Sequence, residues 1–214
     1  MSNPPSTASE HHSLWLVPLP SSPLYTTLQQ TIHITAPTAY PKTIAPRFPP
    51  HVTLTAGTIN LRPTETPSEF FERLSWDFPR ITRPKVQVNI GELHVGEIFF
   101  QKLVLVCEKT RPLCDMAVYA RCLYDEGGQK ACERWVEENW RPHLSLLYSN
   151  LPESDVRANL DEVNAKIQEA KLAHPDSCLS KGAEVWLVPT FKEIKDWKPV
   201  AKQELPDIEW IWKT

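Results

Sequence analysis

Two short stretches of this 214-residue chain carry the side chains best suited to chemistry: Pro50-His51-Val52-Thr53-Leu54 and Pro142-His143-Leu144-Ser145-Leu146. In a β-strand residues i and i+2 point the same way, so each copy sets an imidazole and a hydroxyl on one face and two aliphatic side chains on the other. Brought together, two such strands surround one small anionic group with two imidazoles and two hydroxyls. That set suffices for proton donation, proton removal and phosphate anchoring without a metal. His-x-Ser/Thr alone is cheap, since His11 and His33 also precede a hydroxyl by two positions. The longer pattern, Pro-His-aliphatic-hydroxyl-Leu, occurs only at His51 and His143.

Hydrolysing a phosphodiester requires an activated water in line with a leaving oxygen, and a proton for that oxygen. Histidine serves both roles because it titrates near neutrality. One imidazole must begin neutral and the other protonated, and a negative phosphate between them favours the protonated one. Thr53 and Ser145 are placed to donate hydrogen bonds to the non-bridging oxygens as charge builds in the transition state. Other chemistry has less support. Residues 91–96 have P-loop glycine spacing but continue with Glu97 rather than lysine. The two motifs supply no carboxylate or further histidine to complete a metal site, and no cofactor is expected.

Several elements must position these residues. Residues 1–12 are expected to be a loose tail in which His11 and His12 do nothing. Residues 13–18 then read as a buried strand ended by Pro18. Ser22 and Pro23 signal a helix carrying Leu24, Tyr25, Leu28 and Ile32, ending near Ala36, with His33 in its last turn. Five prolines in residues 37–50 indicate an irregular loop delivering the chain to the first motif strand, residues 51–59. Thr66-Pro67-Ser68-Glu69 is a capping box opening a helix that packs Phe70, Phe71 and Leu74. Strands at 85–95 and 98–107, turning at Gly96-Glu97, form a hairpin. Residues 112–139 are helical in two pieces broken at Gly127-Gly128, followed by the second motif strand, 143–149. Val156, Leu160, Val163 and Ile167 mark one amphipathic helix. Strands at 182–191 and 208–212 close the chain, the former repeating the Trp-Leu-Val-Pro of residues 15–18. Two duplicated features suggest an α+β fold of two similar halves related by a pseudo-two-fold, which brings the two histidines to face each other across a cleft.

Composition narrows the partners. A length of 214 residues fits one domain, or one domain of two lobes, expected over residues 13–214, and 41% hydrophobic with 23% charged residues is an ordinary soluble globular composition. A net charge of −3 gathers no long nucleic acid, so a small phosphorylated ligand fits better. Five cysteines without a CxxC pair, and an amino terminus lacking a charged region followed by a long apolar run, point to a cytoplasmic or other reducing compartment. No stretch is long and apolar enough to cross a bilayer as a helix, and a monomer without membrane partner is expected.

Residues Ser13-Leu14-Trp15-Leu16-Val17-Pro18, Phe48-Pro49-Pro50-His51-Val52-Thr53-Leu54 and Arg141-Pro142-His143-Leu144-Ser145-Leu146-Leu147-Tyr148 resemble the fungal and plant 2′,3′-cyclic-nucleotide 3′-phosphodiesterases of the 2H phosphoesterase superfamily. The resemblance covers nearly the whole chain. It implies a bilobal α+β 2H phosphoesterase-like fold, two antiparallel sheets related by a pseudo-two-fold around a central water-filled cleft with helices on the outside, and metal-free hydrolysis of a ribose cyclic phosphate to a 2′-phosphate. ADP-ribose 1″,2″-cyclic phosphate from tRNA splicing is the implied physiological substrate, converted to ADP-ribose 1″-phosphate. It further implies His143 as the base activating water and His51 as the acid protonating the leaving oxygen. Trp15 and Tyr148 resemble positions lining the nucleoside pocket, although strict alternation from His143 points Tyr148 away unless a bulge intervenes. Arg141 is either a phosphate contact or a solvated loop arginine. Two further readings stay open: an RNA-end-processing enzyme of the same superfamily, and a non-catalytic nucleotide-binding module.

Overall fold

The computed structural model describes residues 11–62, 64–74, 85–123 and 127–213. The strands are β1 (His12–Pro18), β2 (Val52–Ile59), β3 (Val86–Val95), β4 (Leu103–Cys107), β5 (His143–Leu147), β6 (Leu179–Val188) and β7 (Ala201–Trp212). They form one sheet closed on itself in the order β1-β2-β5-β4-β3-β7-β6. A ring with an odd number of strands cannot alternate direction throughout, and here β3 and β7 are the parallel pair. The α+β class is as expected, but a single closed sheet stands where two antiparallel sheets were anticipated.

The duplicated features explain the difference. Trp15 pairs with Trp186, so the two Trp-Leu-Val-Pro runs are neighbours, β1 beside β6. The histidine motifs are neighbours too, β2 beside β5, joined at Val52–Leu144. An axis between β2 and β5 carries β1 onto β4, not onto β6, so no single axis relates both duplications.

Helices cover the core-facing side. α1 (Pro23–Gln30) starts where the Ser22 hydroxyl accepts the Tyr25 N–H, and a π-turn (Thr31–Thr35) leads on to α2 (Ala36–Ala39). α3 (Pro67–Arg73) opens with the expected reciprocal box between Thr66 and Glu69. α4 (Arg111–Cys122) and α5 (Gln129–Glu138) flank the glycine break, where Gly128 has φ of 75°. The helix expected around Val156–Ile167 is two, α6 (Glu153–Arg157) and α7 (Leu160–Ala173). The chain turns between them at Asn159, whose amide donates to the Ala39 carbonyl at 2.8 Å. Alternation does the rest: Leu14, Leu16, Val52, Leu54, Leu144 and Leu146 enter one core with Leu24, Leu28, Leu113, Met116, Val163 and Ile167. The opposite faces of β1 and β6 form a smaller cluster of Trp15, Val17, Trp186 and Val188. Residues 1–10 of the expected tail lie outside the described residues. His12, assigned to that tail, instead begins β1 and is buried.

Candidate active site

With Val52 and Leu54 fully buried in the core, the alternate residues His51 and Thr53 must face the other way, and Leu144 and Leu146 impose the same on His143 and Ser145. All four line one cleft of ≈ 530 Å³. The two motifs meet at their middle residues, Val52 opposite Leu144. Continued by one residue each way, this antiparallel register sets His51 opposite Ser145 and Thr53 opposite His143. A local two-fold therefore relates the motifs, although the fold as a whole does not follow it.

Each imidazole is fixed by the same device. His51 Nδ1 lies 2.7 Å from the Pro49 carbonyl oxygen, and His143 Nδ1 lies 2.7 Å from that of Arg141. A carbonyl only accepts, so Nδ1 carries the proton in both rings and each Nε2 is left for the cleft. The sequence supplies this device through the residue two positions before each histidine.

The surroundings are less alike. His51 is 5% exposed and its ring lies flat on Trp15, centroids 3.6 Å apart and planes 10° off parallel. Burial pushes its imidazole down from 6.5 to about 3, with the bond to Pro49 opposing and His143 adding to the fall. His143 is more open and is also lowered, chiefly by burial, with the Arg141 carbonyl opposing. Both histidines are thus neutral in the empty cleft near pH 7. The hydroxyls differ as well. Ser145 Oγ donates to the Phe100 carbonyl at 2.9 Å, whereas no hydrogen bond engages the Thr53 hydroxyl among the described residues. Two further bonds hold the cleft wall: Trp140 Nε1 donates to the Thr53 carbonyl at 2.9 Å, and the Ser149 N–H donates to the Phe99 carbonyl at 3.1 Å.

Tyr148 does line the cleft, and the reason is a bulge. Ser145 pairs with Val104 and Leu147 with Leu103, so two steps of β5 span one step of β4 and the alternation is reset. Its ring stacks on Phe48 at 3.8 Å, and burial raises its phenol well above the usual range, with Ser145 opposing. Trp15 lines the cleft but is only 2% exposed. Arg141 lies at the cleft, yet its guanidinium donates to the carbonyls of Glu137, Glu138 and Trp140, closing the end of α5. Its backbone carbonyl, not its charge, is what it gives His143.

Two residues at the cleft were not singled out from the sequence. Phe100, 47% exposed, sits in a 3₁₀ turn (Phe99–Gln101) between β3 and β4, inside the segment read as strand. Trp197 lies in the connection from β6 to β7 and meets Phe100 at 5.8 Å, Tyr148 at 6.3 Å and Trp15 at 5.8 Å. An aromatic alone among charges, Lys195-Asp196-Trp197-Lys198, was the available signal. The lining contains no carboxylate or thiol, and no three His, Cys, Asp or Glu side chains cluster among the described residues.

Two oriented imidazoles, hydroxyls and an aromatic wall, in a cleft that the described residues line without a carboxylate, describe a site for an organic anion with proton-transfer groups on either side. The chain belongs to the cyclic phosphodiesterase-like protein family, whose pattern matches residues 11–205. A 2′,3′-cyclic-nucleotide 3′-phosphodiesterase of Neurospora crassa is 31% identical over 214 residues, covering 90% of this chain and 98% of its own. One of the same name from Phaeosphaeria nodorum is 32% identical over 197 residues, with the same coverage. Another, from Eremothecium gossypii, is 28% identical over 219 residues, covering 90% and 99%.

Proposed function

We propose that the protein hydrolyses nucleoside 2′,3′-cyclic phosphates to 2′-phosphates, with His51 and His143 as the catalytic pair. The observation that carries this reading is the matched pair of Nδ1 bonds, 2.7 Å on each side, which reserves both Nε2 atoms for proton transfer. His143 Nε2 takes a proton from water as the water oxygen bonds to phosphorus. The phosphorus–O3′ bond breaks, and Nε2–H of protonated His51 supplies the proton that O3′ needs to leave as a hydroxyl. One water is consumed and the histidines exchange protonation states, to be reset through solvent. The more open His143 suits the group that water must reach. The substrate phosphate, brought beside His51, offsets the burial that keeps that ring neutral when the cleft is empty. Thr53 donates to a non-bridging oxygen. The base lies toward Phe100 and Trp197, whose rings stack on each other at the cleft and are exposed and half-buried respectively.

ADP-ribose 1″,2″-cyclic phosphate presents the same five-membered ring and is a second substrate of this reading. The test combines product and mechanism. In saturating EDTA a cyclic mononucleotide should give only the 2′-phosphate by phosphorus NMR, and the ADP-ribose compound should compete for the same site. His51→Ala and His143→Ala should each cost about 10²–10⁴-fold. On an aryl phosphodiester whose leaving oxygen needs no proton, His51→Ala should recover while His143→Ala does not. Activity lost to chelator and restored by zinc or magnesium would defeat the metal-free mechanism, and recovery of His143→Ala alone would exchange the two roles.

A further inference from the structure

The one-sided surroundings of the two histidines leave a question that the local two-fold does not answer. Burial disfavours a positive charge on His51, the ring that must be protonated to release O3′. Across the cleft His143 opposes that charge further, and the remaining neighbours offer little to offset it. Thr53 and Thr55 on β2, Ser13 on β1 and Thr190 beyond β6 are neutral. Tyr148 keeps its proton, Arg141 is the same sign as an imidazolium, and among the described residues no carboxylate lines the cleft around the ring. What does face it is an indole. Trp15 is brought there by its register, opposite Thr53 on β2, and lies against His51 with centroids 3.6 Å apart and planes 10° from parallel. A second aromatic, Phe48, meets His51 edge to face at 6.2 Å.

We propose that Trp15 is a positioning residue for His51: its indole face fixes the imidazole plane so that Nε2 points into the cleft, and its π-electrons stabilise the imidazolium that protonates the leaving oxygen. The proposal rests on the reading of function above and deepens it. A cation over an aromatic face is stabilised most where water is absent, and this pair is nearly dry. The same geometry leaves Trp15 little surface for a substrate base. One face carries His51, Trp197 packs against it in an edge-on arrangement, and 2% of the residue remains exposed. His143 makes no such stack among the described residues, so the device marks one histidine of an otherwise matched pair and sorts acid from base.

The test uses the whole protein and reads the charge directly. The ring nitrogens of His51 are titrated by NMR with a saturating nucleoside 2′-phosphate in the cleft, and kcat for a 2′,3′-cyclic nucleotide, which reports the substrate-bound protein, is followed against pH together with KM. Trp15→Leu should lower the His51 pKa, and with it the alkaline limb of the profile, by about 0.5–1.5 units. Trp15→Phe should lie between the two proteins. Fluorinated tryptophan, which weakens the π-face without changing its shape, should lower the same pKa in graded steps, and so decides the matter if Trp15→Leu does not fold. An unmoved His51 pKa with a raised KM would overturn the proposal and make Trp15 a substrate contact. A fall in pKa that moves the acidic limb instead would overturn the acid assignment of His51. If no variant, nor the parent, hydrolyses the cyclic nucleotide, the functional reading has failed. The titration, read on the free protein if the 2′-phosphate does not bind, still decides what Trp15 does to His51.

Discussion

Removing the two hydroxyls one at a time should not cost the same, although the motifs that carry them are near copies. Thr53 has no competing hydrogen bond among the described residues and can donate to a phosphate oxygen as it stands, so Thr53→Ala should lose one preorganised donor. Losses of that kind run to about 10²–10³ in kcat. Ser145 already donates to the Phe100 carbonyl at 2.9 Å. To serve the phosphate it must give up a bond worth about 0.5–1.5 kcal/mol for a charge-assisted one of about 1.5–3 kcal/mol. The net gain is roughly 1–1.5 kcal/mol, or about 5- to 12-fold in rate. Steady-state kinetics of Thr53→Ala, Ser145→Ala and the double variant on a cyclic mononucleotide separate the two. Equal losses of several hundredfold would mean that Ser145 leaves the Phe100 carbonyl outright in the transition state, and the asymmetry argued from that bond would be wrong. A change confined to KM for Thr53→Ala would make it a ground-state binder.

Acid should destabilise the fold through His51. Unfolded, it takes up a proton near pH 6.5; folded, it resists down to about 3, so the stability it confers is whole above 6.5 and drains away as pH falls toward 3. Urea midpoints across that range should fall with a slope that His51→Gln reduces by about one proton, and an unchanged slope would place the titration elsewhere. Gly96→Ala should damage the site from a distance. Its methyl would meet the backbone carbonyl of Gln101, in the turn whose Phe100 carbonyl accepts Ser145; a raised KM with a loss of stability is expected, and a fully active variant would show that the turn does not govern the cleft. Trp197→Ala should raise KM for the cyclic nucleotide about tenfold or more while leaving kcat within a few-fold, as loss of one stacking contact does; a kcat loss without a KM change would assign Trp197 to the chemistry instead.

What was legible in the sequence is what alternation and capping encode. The buried set Val52, Leu54, Leu144 and Leu146 is written in a period of two, which orients the motif side chains without further information. The N-cap at Ser22 and the capping box at Thr66 are short-range chemistry and appear as read. Less was visible where polar residues build regular structure. The first half of β7, with Lys202, Gln203 and Glu204, pairs with β6 although its composition resembles a loop. Closure of the sheet was not legible at all, because the parallel pairing of β3 with β7 joins segments more than a hundred residues apart. The bulge in β5 lies between the two: the position of Tyr148 demanded one, but only the pairing with β4 locates it at Leu146.

Copying a His-x-hydroxyl strand gives two identical half-sites, and identical half-sites cannot supply an acid and a base at once. The local two-fold through Val52 and Leu144 delivers the shared part: the same tautomer, the same 2.7 Å anchor, the same approach of Nε2 to the cleft. The difference is delivered by strands outside the motif. β1 lays Trp15 on His51, while the turn before β4 engages Ser145 and, among the described residues, nothing competes for Thr53. Since β1 and β4 are the outer neighbours of the two motif strands, the asymmetry enters from both flanks of the pair. The fold therefore breaks a local symmetry that sequence duplication alone would have left intact. In the proposed mechanism that breakage decides which oxygen of the cyclic phosphate departs, because the protonated ring and the free hydroxyl both belong to β2 and its approach, and the activating base belongs to β5.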